Sequence, residues 1–171
     1  EAYGVPVYVS GNLHVQRIKK HKANLNTPGG YGIREMVTSP LPMAPGQYST
    51  LDWQADGSMS DHTKKVDIAG WAQRYGEEDE NLLNFDAYAD QFLVDVISDE
   101  TFKALQSASK DIKAEMARLY AAMNRDYCSG KNFDVAKNRK REGYQYWLRY
   151  SANDFGLART QAIRNNSRHD N

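Results

Sequence analysis

All five prolines of this chain, Pro6, Pro28, Pro40, Pro42 and Pro45, fall within its first 45 residues. Nothing after that point interrupts a helix by lacking a backbone N–H. Seven of the twelve glycines also precede residue 58. The opening stretch is therefore unsuited to helix as a whole, while the remainder is free to form long ones. A chain of 171 residues is the size of one ordinary domain, and the part after Asp61 alone is large enough to bury a core.

Within the opening stretch, Val5-Pro6-Val7-Tyr8-Val9 is β-branched and aromatic enough for one short strand, which Pro6 confines to an edge. Residues 11 to 24 predict a brief basic helix. Thr27-Pro28-Gly29-Gly30-Tyr31-Gly32 and the run from Ser39 to Gly46 read as turns joined by extended chain. Helical periodicity begins near residue 60. Ser60 or Asp61 is a candidate cap for a helix carrying Ile68, Trp71 and Tyr75 and ended by Gly76. A second helix starts near Asn84 with Phe85, Tyr88, Phe92, Leu93 and Val96 at three- and four-residue spacings. The longest runs from Ser98 to Tyr127, with Phe102, Leu105, Ile112, Met116, Leu119 and Met123 in one stripe. A fourth spans Asp134 to Tyr150 and a fifth Asp154 to Asn165.

The expected fold is thus mainly α. A bundle of four to five helices over about residues 61–165 follows a long, mostly irregular Pro/Gly-rich arm with one short strand. The division is an arm at 1–58 and a helical domain at 59–171.

Charge is balanced overall, 22 basic against 22 acidic residues, so affinity for nucleic acid from whole-chain charge is not expected. Its distribution is uneven. Between Glu77 and Glu100 stand nine acids and no Lys or Arg, whereas from Lys131 onward nine basic residues face four acidic ones. Such poles either satisfy one another within one fold, the favoured reading, or pair head-to-tail with a neighbour. No run of 18 apolar residues exists, so no membrane span is expected.

Several motifs have a partial chemical reading. Asp52 to Ser60 resembles the start of an EF-hand loop, but position 12 is Thr63 where a bidentate Glu is needed, so an Asp-Gly turn is preferred. Gly29-Gly30-Tyr31-Gly32 lacks the strand and helix that a phosphate loop requires. Cys128, the single cysteine, is a candidate nucleophile beside His14, His21, His62 or His169, yet its place at a helix C-terminus disfavours a thiolate. Ser107-Ala108-Ser109-Lys110 satisfies SxxK, but it is expected inside the long helix and lacks partner motifs. The acids Glu77 to Glu80 read as solvated surface. No histidine stands in a metal spacing, and neither a cofactor nor a catalytic set is assigned. Lys137 to Tyr150 interleaves bases with rings, the best nucleic-acid candidate, although the helical wheel turns Tyr144, Trp147 and Leu148 toward one face and favours packing.

The opening Gly4-Val5-Pro6-Val7 with Asn12-Leu13 resembles the mature start of pilus-tip proteins of type IV secretion over about ten residues, a stretch too short to carry function. The leading functional expectation is architectural: a non-enzymatic structural subunit of an envelope machine, secretion machine or phage particle. Its arm docks on copies of itself or on other protein subunits. The interaction candidates are Tyr3, Tyr8, Tyr31, Tyr48 and Trp53 on the arm and Arg139, Lys140, Arg141 and Arg149 on the basic segment. The runner-up is a small secreted enzyme or toxin using Cys128 or the acidic 77–80 segment, and the third reading is a nucleic-acid module at 137–150. The missing initiator Met fits export or a virion and leaves the compartment open.

Overall fold

The computed structural model describes residues 6–11, 14–22, 32–99, 105 and 107–150. Among them are five strands and six helices: β1 Val7–Ser10, β2 Arg17–His21, β3 Ile33–Val37, β4 Gln47–Trp53, β5 Met59–Lys65, α1 Ile68–Tyr75, α2 Glu80–Leu83, α3 Phe85–Ile97, α4 Lys110–Cys128, α5 Val135–Asn138 and α6 Glu142–Tyr150. Two compact units result. The first runs up to Val66 and includes Cys128–Gly130. The second is Asp67–Tyr127 with Lys131–His169.

The first unit overturns the expectation of a mainly α protein with an irregular arm. It holds two small sheets, making the chain an α/β mix. In the first sheet β3 is central, parallel to β1 and antiparallel to β2. In the second, β4 and β5 form a hairpin from Gln47↔Lys65 to Trp53↔Met59. The hairpin tip contains the Asp-Gly turn: Gly57 adopts a φ of 82° and Asp56 accepts the Ser58 N–H at 2.8 Å. These strands are hard to read because β2 (Arg-Ile-Lys-Lys-His) and β5 (Met-Ser-Asp-His-Thr-Lys-Lys) have too few apolar residues to alternate. The basic stretch expected as a helix contains strand β2, and Ser60 and Asp61 lie inside β5 instead of capping a helix.

Polar contacts join the two sheets. Gln16 Nε2 donates to Ser49 Oγ and to Thr63 Oγ1, the latter at 3.0 Å, while Arg34 pairs with Asp61 at 2.6 Å. Val15, Met36 and Val37 are buried there.

In the helical unit Asp67 caps α1, its carboxylate accepting the Gly70 N–H at 2.9 Å, and Gly76 closes the helix in the left-handed region. Asp79 caps α2 in the same way through the Asn81 N–H. The core is built from Ile97, Met116, Leu119, Met123, Phe133, Tyr144 and Trp147. Helix α4 begins at Lys110, later than the expected Ser98, with Ser109 Oγ accepting the Ile112 N–H. Lys110 of the SxxK motif therefore opens this helix, and Ser107 Oγ pairs with the Tyr146 hydroxyl.

The expected fourth helix is split into α5 and α6. Glu115 holds the start of α6: one carboxylate oxygen takes Arg141 Nε and the other the Gly143 N–H, both at 2.8 Å. The expected fifth helix, Asp154 to Asn165, lies outside the described residues. No helix among the described residues is long and apolar enough to cross a membrane.

Candidate active site

Register on the three-stranded sheet determines which side chains meet. Tyr8 stands opposite Glu35 across β1 and β3, while Lys19 opposes Glu35 and His21 opposes Ile33 across β2 and β3. Because side chains alternate along a strand, Tyr8, Arg17, Lys19, His21, Ile33 and Glu35 share one face. Glu35 is the centre of this group. Its Oε1 accepts from Arg17 Nη2 and its Oε2 faces His21 Nε2, each at 3.0 Å. Tyr8, His21, Ile33 and Glu35 line a concavity of about 310 Å³.

The His21 hydrogen bond holds the Glu35 carboxyl below the usual carboxylate range, helped by the Arg17 guanidinium and opposed by partial burial. An ionised carboxylate only accepts, so its contact with His21 Nε2 places the ring proton on that nitrogen. The other ring nitrogen, Nδ1, is then the one able to take up a proton. Lys19 is exposed on the same face.

Of the interaction candidates, Tyr8 lies at this concavity and is more than half exposed. Tyr48 and Trp53 are exposed on β4. Arg139 and Lys140 are exposed between α5 and α6, Arg141 pairs with Glu115, and Arg149 is exposed in the last turn of α6. Tyr3 and Tyr31, with Gly29 and Gly30, lie outside the described residues. Of the rings interleaved with bases, Tyr144 and Trp147 are core: they are 1% and 3% exposed and meet edge to face at 5.5 Å. Cys128 is 1% exposed, and burial pushes its thiol up to about 11. Among the described residues no group of three His, Cys, Asp or Glu is arranged to hold a metal ion.

Arg17, His21 and Glu35 are not singled out together by sequence spacing. Their only signal is period-two placement, Arg-x-Lys-x-His on β2 and Ile-x-Glu on β3, visible once both segments are taken as paired strands.

A carboxylate-oriented imidazole among cations, with an exposed ring beside it, is a set of groups suited to acid–base work on an anionic ester. An enzyme relationship is found independently in the helical unit. The chain belongs to the family of the C-terminal domain of cyclic nucleotide phosphodiesterase, which matches residues 67–170, more than half of its length. The match begins at Asp67, the first residue of the helical unit and the cap of α1. No curated protein matches the chain. Membership in this family overturns the expectation of a non-enzymatic structural subunit.

Proposed function

We propose that this chain hydrolyses a phosphodiester bond of a cyclic nucleotide, with the proton transfers carried by His21 in the concavity of the three-stranded sheet. The observation that carries this reading is the Arg17–Glu35–His21 chain of contacts, each at 3.0 Å. Membership of the helical segment in a phosphodiesterase family supplies the substrate class.

The chemistry follows from the groups present. A water oxygen attacks phosphorus while His21 Nδ1 takes its proton. The bond from phosphorus to one ring oxygen breaks, its electron pair stays on that oxygen, and the imidazolium returns the proton there. One cyclic diester and one water give one phosphomonoester with a free hydroxyl. Glu35 keeps the imidazole in the required tautomer and stabilises its charged form, the role of an orienting carboxylate. Arg17 is engaged with Glu35, so Lys19 is the cation available for the phosphate oxygens.

The test is phosphomonoester release from cyclic nucleotides of both ring sizes, followed by phosphorus NMR. His21→Gln is expected to lower kcat by about 10²–10⁴-fold, the usual share of a general acid–base group. A variant as active as the unaltered chain would overturn the assignment.

A further inference from the structure

The helical unit exposes aromatic rings that its own core does not use. On α1, Trp71 and Tyr75 are 46% and 67% exposed, with ring centroids 5.5 Å apart. On α3, Phe92 is 57% exposed and stands 6.2 Å from Tyr88, itself exposed. Isolated exposed rings are ordinary, but paired rings on two helices of a small unit form surface that a partner would cover. The chain between these helices carries the exposed acids Glu77, Glu78, Asp79 and Glu80, and Asp95 lies one turn beyond Phe92.

The same unit carries a surface of the opposite character. Lys137, Arg139 and Lys140 on α5 and its following turn, and Arg149 on α6, are exposed. Within this unit Asp90 of the acidic segment pairs with Arg125 on α4, and Arg141 of the basic segment pairs with Glu115 on α4. Among the described residues no ion pair engages Glu77, Glu78, Glu80, Lys137, Arg139 or Lys140.

We propose that the acidic, aromatic face of α1 and α3 docks on the basic α5–α6 face of a second copy of this chain. Charge complementarity selects the occupant. Arginine and lysine heads can sit over Trp71, Tyr75 and Phe92 while the acids neutralise them at the rim. The two faces differ, so the contact is head-to-tail, and it closes into a ring or continues into larger species as its rotation dictates.

Sedimentation velocity on the full chain over a range of concentrations tests this. The expected result is self-association that weakens as salt rises. Reversing one pole, K137E/R139E/K140E or E77K/E78K/E80K, should weaken it at least about tenfold, the combined worth of a few exposed ion pairs. Mixing the two reversed variants should restore association, because each then presents only charges opposite to the other's. Trp71→Ser with Phe92→Ser weakens association without touching charge and serves if a reversed variant fails to fold, as judged by circular dichroism. A chain that stays monomeric at low salt, or that binds a basic peptide but not itself, overturns the proposal. So does association that neither the reversals nor the ring substitutions change.

Discussion

Cys128 shows most plainly how a residue's surroundings decide its chemistry. The single thiol is buried at the end of α4, and desolvation raises it to about 11, so little thiolate exists near neutrality. Iodoacetamide at about pH 8 should leave Cys128 unmodified in the folded chain and alkylate it after denaturation, as mass spectrometry would record. Rapid labelling of the native protein would contradict the buried placement. The contrast is with His21, whose ring stays open on one side while its other nitrogen is committed to Glu35. A buried nucleophile and an accessible, oriented imidazole are not equivalent candidates for acid–base work.

At the scale of elements, α4 organises the helical unit. Leu119 is 2% exposed in its centre, and Leu119→Ala is expected to cost about 2–5 kcal/mol in urea unfolding, the range for a buried Leu truncation. A second prediction concerns Glu115, which ties α4 to the first turn of α6. Partial burial raises its pKa, but Arg141 and the Gly143 N–H outweigh that and leave the carboxyl below its ordinary 4.5. A folded-state pKa lowered in this way stabilises the protein above pH 4.5, and the contribution is lost as pH falls through the lower folded value. Glu115→Gln should therefore flatten the acid limb of a stability profile below that pH by under about 1 kcal/mol, since Arg141 is largely solvated. An unchanged acid limb would contradict the pairing.

The helices were legible for a physical reason. Residues such as Leu93, Ile112, Met116, Leu119 and Met123 recur at helical spacing because each faces one core. The strands were not. On β2 and β5 nearly every residue is polar and partly or fully exposed, so pairing is held by backbone hydrogen bonds and by side-chain contacts such as Arg17 with Glu35 and Arg34 with Asp61. Pairing between segments that distant leaves no local periodicity. The site shared this fate because its members, Arg17, His21 and Glu35, come together only through β2–β3 register. The split between α5 and α6 was hidden for a similar reason: the start of α6 is held by a carboxylate from α4, distant in sequence.

For the whole molecule, the helical segment belongs to a family named for a cyclic nucleotide phosphodiesterase, while the groups proposed for the chemistry stand on the strand unit. The central claim is that His21 and Glu35 act as one catalytic device. It is tested most directly by turnover of a cyclic nucleotide by four proteins: the unaltered chain, His21→Gln, Glu35→Gln and the double variant. Two groups that work through one another lose activity non-additively. The double variant should thus be no slower than His21→Gln, with Glu35→Gln losing less than either. Losses that multiply in the double variant, or full turnover in His21→Gln, would contradict the account.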